Sequence, residues 1–325
     1  MCRNINYWLC IVLLTMTTGC TKDVNLELGG KTPLYVIEGR ISNLEGPYFV
    51  RITKSTNQVG RTGAGGIDDA EAVQGALVIL SDDTGMKDTL VPLGQSTADR
   101  FYYSYREGRM DSAKAAFISI DYTAERGYYQ TTHIKGQVGH TYHLQVLVDG
   151  KEFQATAYMP SAPSIDSAAI KPTPVMPNGM EGLLPFIYFK EPAGEKNYYL
   201  LQYNQIKHYP YDISGASYSS YEFPYYVVDD NILPAYVNGL AIRVINSGHN
   251  PYGSNYNSVY RYDPLQVRLS SLTKEAYEYY RVLISQFEDD GNVYKPVPTS
   301  AAGNISGGAV GLFYATHVSY KLILP

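Results

Sequence analysis

Short alternating runs of β-branched and aromatic residues constrain the fold of this chain more than any other feature. In the first half of the chain they occupy residues 34–42, 48–53, 76–83, 116–122 and 141–159. Their period of two is typical of strands that bury one face, and Gly, Asn and Asp separate them as turn residues do. The pattern predicts an N-terminal antiparallel β-sandwich over residues 34–160, of the immunoglobulin or transthyretin kind.

The clearest single element is a hairpin in "TYHLQVLVDGKEFQATAYM", residues 141–159. Asp149 and Gly150 both tolerate a positive φ, which a two-residue type I′ turn requires. The alternation then divides the first strand into two faces. The face predicted to meet a core carries Tyr142, Leu144, Val146 and Val148.

A proline-rich stretch, residues 161–185, separates this region from a second one and predicts a connector. Strand-like runs then resume at 186–189, 197–206, 240–247, 258–271, 309–315 and 318–324. They predict a second, tyrosine-rich β-sandwich over residues 186–325.

One segment of the second region, residues 272–287, has helical spacing instead. Thr273 suits the N-cap, and Ala276, Tyr280, Leu283 and Phe287 fall on one face. We therefore expect an all-β fold class, with two antiparallel β-sandwich domains and one helix packed across an end of the second.

The first apolar run, residues 7–16, is only about ten residues long, whereas a membrane-spanning helix needs ~20. Arg3 precedes it and the small residues 17–19 lead to Cys20, an order typical of a lipoprotein signal peptide. Thr17 departs from the usual Leu or Val, and ordinary secretion remains an alternative. We predict a signal peptide over residues 1–19, lipidation at Cys20 and a lipidated tether over residues 20–33.

Cleavage at that point would remove Cys2 and Cys10 and leave one cysteine. We therefore expect no internal disulfide and no cysteine metal site. The chain carries 26 Lys and Arg against 31 Asp and Glu, a formal net charge of −5. This balance argues against a nucleic-acid partner, and it leaves the lipid on Cys20 as the route to a membrane.

Motifs for catalysis are absent from the sequence: there is no His-Glu-x-x-His, no Gly-x-Ser-x-Gly and no phosphate-binding P-loop. His140 and His143 fall on opposite faces of a strand, which makes them a poor metal pair. We expect a protein that is not an enzyme and has no metal or cofactor. A catalytic site assembled only by folding remains open.

Tyrosine is unusually abundant, with 32 in the chain and 14 between residues 198 and 262. Around residues 203–230 and 249–264 it is mixed with Ser, Asn and Gly, a composition that recognition loops favour. Tyrosine is also a good strand residue, so packing remains an alternative. The candidate binding residues are Tyr209, Tyr211, Tyr218, Tyr221, Tyr225, Tyr226, Tyr252 and Tyr256.

Several longer segments together resemble a known family. They are "YVIEGRISNLEGPYFVRITKS", "VQGALVILSDDTG", "GQVGHTYHLQVLVDGKEFQATAYMP", "LSSLTKEAYEYYRVL" and "PVPTSAAGNISGGAVGLFYA". With the preceding cysteine and acidic tether, they are similar to the Bacteroidota outer-membrane lipoproteins of unknown function (domain of unknown function 4249 type). Genes of that family often lie beside TonB-dependent receptors. The acidic residues Asp23 and Glu27 fit the surface export known for such lipoproteins.

The resemblance implies a lipid-anchored outer-membrane protein, exposed at the cell surface, that serves as a non-enzymatic binding or accessory component of TonB-dependent nutrient uptake. The implied partners are a TonB-dependent receptor and a glycan, a peptide or another nutrient. Two alternatives remain: a surface hydrolase acting on glycans or peptides, and a structural or adhesive surface lipoprotein.

Overall fold

The structure is a computed structural model. It describes residues 26–27, 32–55, 58–59, 70–93, 105–106, 109–110, 126–172, 183–205, 226–242, 265–287 and 301–324. The chain divides into two compact units, one formed by Met1–Pro33 with Thr56–Asp69 and the other by Leu34–Ser55 with Ala70–Pro325. The larger unit thus includes residues from both predicted sandwiches, and the division of the chain at residues 161–185 stays a prediction.

The strands of the first half are β1 (Leu26–Glu27), β2 (Tyr35–Ser42), β3 (Phe49–Lys54), β4 (Gln58–Val59), β5 (Glu71–Ala72), β6 (Leu77–Asp82), β7 (Lys87–Pro92), β8 (Tyr105–Arg106), β9 (Arg109–Met110), β10 (Tyr128–Gln130), β11 (Thr141–Val148) and β12 (Lys151–Tyr158). The later elements are β13 (Ser167–Pro172), β14 (Leu183–Lys190), β15 (Tyr198–Gln205), β16 (Tyr226–Asp229), β17 (Tyr236–Ala241), β18 (Leu265–Leu272), helix α1 (Lys274–Phe287), β19 (Phe313–Thr316) and β20 (Val318–Ile323), with a 3₁₀ turn at Asp230–Ile232. In the smaller unit, β1 pairs antiparallel with β4.

The main sheet of the larger unit has nine strands in the order β12-β11-β6-β7-β10-β3-β2-β19, with β5 paired to β3. Its pairs are antiparallel except that β19 runs parallel to β2. The sheet curls until β12 and β19 lie against each other. Asn304 spans them, because its side-chain amide donates to the carbonyls of Thr156 on β12 and Phe313 on β19.

The predicted hairpin is confirmed. Asp149 (φ 50°) and Gly150 (φ 70°) form the turn between β11 and β12. The side chains of Tyr142, Leu144 and Val146 are at most 2% exposed, as the period of two requires. They belong to the main core inside the curled sheet.

Two smaller sheets, β13-β14-β17 and β16-β15-β18-β20, face each other across a second buried cluster. The four-stranded sheet is antiparallel throughout, with β18 between β15 and β20. Its inner face is apolar, because Leu265, Val267 and Leu269 of β18 are all fully buried in this cluster.

Helix α1 begins two residues later than predicted, after Thr273, whose hydroxyl accepts a hydrogen bond from the Ala276 backbone N–H at 3.3 Å. Ala276 and Tyr280 are buried against Leu200 and Tyr314 in a third cluster, as the helical spacing predicts. The side chain of Phe287 lies outside the described residues. The helix thus covers the outer face of the four-stranded sheet, where Leu200 and Leu272 point away from the second cluster.

The predicted all-β class is confirmed, because the described residues form mainly antiparallel sheets with one α-helix, while the arrangement as two sandwich domains stays a prediction. The segment formed by β19 and β20 connects the main sheet, helix α1 and the four-stranded sheet. Phe313 packs in the main core, its neighbour Tyr314 packs beneath the helix, and β20 then pairs with β18. Over the part of the chain that the structure describes, no helix combines the length and the apolar character needed to cross a membrane.

Candidate functional site

A cleft of about 270 Å³ lies where three layers of the larger unit meet. Its walls are the outer face of the main sheet at β2, β3 and β10, one face of the four-stranded sheet at β15 and β18, and helix α1. Each wall comes from a different part of the chain, so the cleft exists only in the folded protein.

The first wall carries a row of three cross-strand partners, Glu38, Arg51 and Tyr128. They face outward because their neighbours Ile37, Val50 and Tyr129 are buried in the main core. The Arg51 guanidinium lies 5.3 Å from the centre of the Tyr128 ring, and its Nε donates to the Arg126 carbonyl at 3.2 Å. Among the described residues, no carboxylate is within 4.0 Å of Arg51. Arg51 is therefore held in place by an aromatic face and a carbonyl.

The second wall is a polar face on strands that are buried on both sides. Gln202 of β15 lies directly opposite Arg268 of β18, and Ser270 follows two residues along the same strand. These three side chains are 7%, 2% and 4% exposed. Arg268 Nε donates to Gln266 Oε1 at 2.7 Å, which orients the guanidinium plane.

Two of these polar side chains have donors and acceptors that no described residue uses. Gln202 and Ser270 form no side-chain hydrogen bond with any residue that the structure describes. Among the described residues, the only fully buried side-chain polar atom without a partner is Glu191 Oε2, so the polar atoms of Gln202 and Ser270 are open to the cleft. Since both residues line the cleft, a molecule bound there can supply the partner.

Helix α1 contributes the aromatic third wall. Tyr279 and Tyr280 meet edge to face at 5.9 Å between ring centres, and Tyr280 meets Tyr314 in the same way at 5.6 Å. The Tyr279 hydroxyl donates no hydrogen bond within the described residues. Burial, together with the negative charge of Glu38, raises the pKa of Tyr279 to about 12. This hydroxyl therefore stays protonated near neutral pH and remains a hydrogen-bond donor.

Glu38 lies at the mouth of the cleft, accessible to solvent but with its carboxyl group crowded by protein atoms. This desolvation raises the pKa of Glu38, and the positive charge of Arg51 opposes the rise. The carboxyl group forms no ion pair with any described residue. Its charge therefore changes with mild acidification more readily than that of an ordinary surface glutamate.

A comparison with protein families finds one match, a family described as Domain of unknown function (DUF4249), which covers residues 21–321. The chain belongs to this family. The predicted resemblance to that domain is thus confirmed, while its bacterial group and its link to TonB-dependent receptors stay predictions. No curated protein matches the chain. Because the family has no assigned activity, the function of this DUF4249 protein has to be argued from its own residues.

Of the tyrosines predicted to bind, the structure describes one. Tyr226 begins β16, pairs with Leu201 and packs half-buried against the second cluster. The others, Tyr209, Tyr211, Tyr218, Tyr221, Tyr225, Tyr252 and Tyr256, lie outside the described residues, as does Cys20. Within the described ranges, no group of three or more His, Cys, Asp or Glu side chains is placed to hold a metal ion.

The sequence patterns predict a binding role for none of the described residues that line the cleft of this DUF4249 protein, and they place Tyr280 and Leu283 only on the packed face of the helix. In "LQVRLSSL", the sequence of β18, polar and apolar residues alternate as they do in a strand with one solvent-exposed face. In the structure all eight residues are buried, because helix α1 and the main sheet cover the polar side. The local pattern carries no signal that distinguishes these two situations.

Proposed function

We propose that this DUF4249 protein is a lipid-anchored, non-enzymatic binding protein of the cell envelope, and that the cleft is its ligand site. The observation that carries the proposal is the pair of polar side chains Gln202 and Ser270, which line an open cleft and form no side-chain hydrogen bond with any residue that the structure describes. Such side chains cost stability unless a bound molecule or water satisfies them, so they are typical of binding sites.

The cellular part of the proposal is supported by the N-terminal sequence. A short apolar run that ends in small residues and Cys20 suits lipidation, and the acidic residues Asp23 and Glu27 suit surface export. These features support the proposal that the protein is an outer-membrane accessory that delivers a bound nutrient to a TonB-dependent receptor, as the predicted resemblance implies.

Blocking the cleft should remove bound small molecules. We expect the wild-type protein, incubated with a small-molecule extract of cells and re-isolated, to retain at least one compound that mass spectrometry detects after denaturation. Ser270→Phe fills the cleft from its floor and should retain none. Equal retention by both proteins would show that the cleft is not the site.

The matched control is Ser285→Phe, because Ser285 is an exposed serine on helix α1 outside the cleft. It should retain the compound as the wild type does. Thermal unfolding establishes that each variant is folded. If Ser270→Phe does not fold, Gln202→Leu is the substitute, because it removes the amide with little change in volume.

Replacing Cys20 with alanine should release the protein from the membrane. Without the thiol no lipid can be attached, and a single apolar run of about ten residues is too short to hold the protein as a helix. The measurement is the partition of wild type and Cys20→Ala between membrane and soluble fractions. Persistent membrane association of the variant would contradict lipid anchoring.

A further inference from the structure

We propose that the ligand of the cleft is a small organic anion whose carboxylate is held by Arg51, an inference that rests on the proposed binding role of the cleft. Three properties of the cleft support this class of ligand: the charge of its lining, its balance of hydrogen-bond donors and acceptors, and its volume.

The charge of the cleft is opposite in sign to that of the protein. Among the described residues, its lining has three arginines, Arg40, Arg51 and Arg268, and two carboxylates, Glu38 and Glu45, in a chain with a formal net charge of −5. A concave site whose lining has a net charge of one sign concentrates ligands of the other sign, and low-dielectric walls strengthen this effect. The cleft therefore favours an anion over a neutral or cationic molecule of the same shape.

The hydrogen-bonding groups of the cleft are mainly donors. Guanidinium groups donate and never accept, and the Tyr279 hydroxyl is kept protonated by its raised pKa. The Ser270 hydroxyl and the Gln202 amide add donors at the floor. An ionised carboxylate accepts several hydrogen bonds and donates none, so it complements this set.

Two of the arginines are positioned before any ligand binds. Arg268 is almost fully buried and oriented by the Gln266 side chain, and Arg51 lies over Tyr128 with its Nε on the Arg126 carbonyl. An arginine held in this way loses less conformational entropy on binding than a mobile surface arginine, and its planar fork suits a carboxylate.

The volume of the cleft indicates the size of ligand that it can enclose. About 270 Å³ is slightly below the range for small-molecule sites, which is ~300–1,000 Å³ for drug-sized ligands. The cleft can enclose a compact acid, whereas a long glycan or a peptide would extend beyond it.

Glu38 links anion binding to pH. When Glu38 is ionised it repels a bound carboxylate, and when it is protonated the repulsion disappears. Because desolvation raises the pKa of Glu38 and Arg51 only partly opposes the rise, Glu38 is protonated at a higher pH than an ordinary carboxylic acid ligand, which is still ionised there. Binding should therefore tighten as the pH falls through the Glu38 pKa. The charged or titratable groups that face it are Arg40 on β2, Arg51 on β3, Arg268 on β18, Tyr279 on α1 and Glu45 in the loop after β2.

The test uses pairs of probes that differ mainly in charge: 4-hydroxybenzoate with 4-hydroxybenzamide, and glucuronate with glucose. Ligand-observed NMR titrations at millimolar concentration give the affinity of each probe for the full folded chain. At least one acid should bind about ten-fold more tightly than its neutral partner, since a charge-assisted hydrogen bond contributes that much or more. Arg51→Gln should lower the affinity for the acid by a similar factor, and Glu38→Gln should remove the pH dependence.

The matched control is Arg281→Gln, which makes the same charge change on an exposed helix residue outside the cleft, where Arg281 pairs with Glu278. It should leave the affinity for the acid unchanged.

The inference is overturned if neither acid binds, if the neutral probes bind equally well, or if Arg281→Gln and Arg51→Gln have the same effect on affinity. If the neutral probes bind equally well and Ser270→Phe abolishes their binding, the cleft is still the ligand site but its ligand is not an anion. If Ser270→Phe does not affect binding of any probe, both the anionic ligand and the proposed binding role of the cleft are contradicted.

Discussion

Replacing Asp88 with alanine should destabilise the protein by about 3–5 kcal/mol at neutral pH, because it removes the only charged side chain among the described residues that is fully buried. Asp88 of β7 accepts hydrogen bonds from the backbone N–H groups of Thr132, His133 and Ile134, each at 2.8 or 2.9 Å. The Thr132 hydroxyl donates to its other oxygen at 2.6 Å. Alanine would leave the Ile134 N–H buried without a partner and the donors of Thr132 and His133 partly buried without one, at about 1–3 kcal/mol for each unsatisfied buried group.

The effect should depend on pH in one direction. Burial acts to raise the pKa of Asp88, but the hydrogen bonds from His133, Ile134 and Thr132 outweigh it and hold the pKa below its usual value. A carboxyl group with a lowered folded-state pKa contributes stability above its unfolded-state pKa of ~3.9, and this contribution disappears as the pH falls through the folded-state pKa. The difference between wild type and variant should therefore be constant from pH 7 to pH 5 and shrink below about pH 4.

Urea denaturation followed by far-UV circular dichroism measures this difference. The matched control is Asp82→Ala in the same β6–β7 hairpin, where Asp82 accepts from the Thr84 and Met86 backbone N–H groups in an exposed turn. Those N–H groups can form hydrogen bonds with water instead, so the free energy of unfolding of the control should fall by only about 1 kcal/mol. Equal losses for Asp82→Ala and Asp88→Ala would show that burial does not set the energy of this site.

Replacing Gly311 with alanine should cost more than about 3 kcal/mol, because the backbone conformation and the available space both exclude a side chain. Gly311 has φ +114°, and a Cβ there would lie 2.1 Å from the Ile37 carbonyl oxygen. On either side of it, the carbonyls of Val310 and Leu312 accept hydrogen bonds from the Ile37 and Gly39 N–H groups. The new side chain would push this segment off β2.

Gly308→Ala separates the effect of backbone strain from the effect of steric overlap. Gly308 also has a positive φ, +84°, but nothing lies within 4 Å of its would-be Cβ. Its replacement should therefore cost only the backbone strain, about 1 kcal/mol. Thermal and urea unfolding of both variants measure the difference. If Gly308→Ala is as damaging as Gly311→Ala, close packing against β2 is not the reason for the glycine.

Displacing this segment should also change the cleft. Leu312 and Tyr314 follow Gly311 directly, and both line the cleft and pack beneath helix α1. We expect Gly311→Ala to lose near-UV circular dichroism from the tyrosines, whereas Gly308→Ala keeps it. This links the glycine-rich sequence near the C-terminus to the shape of the proposed binding site.

Local sequence information was sufficient for the elements whose determinants are close together in the chain. The Asp149-Gly150 turn, the alternating faces of β11 and the Thr273 cap each depend on residues within one turn or one strand, so their patterns were readable and the structure confirms them. Composition alone predicts the candidate tyrosines, and the one that the structure describes, Tyr226, packs half-buried against a core. Composition does not say whether an aromatic side chain faces a ligand or a core.

The sequence by itself determined that this chain is β-rich with one helix, where its clearest hairpin turns, and that Cys20 is the candidate anchor. The tertiary structure decided which polar residues are buried, because that depends on segments far apart in the chain. Asp88 meets Thr132 across 44 residues, and Glu38 shares the cleft with Arg268 and Tyr279. A polar face on a strand has the same period of two whether water or another layer of the protein covers it, and only the packing of layers turns such a face into a site.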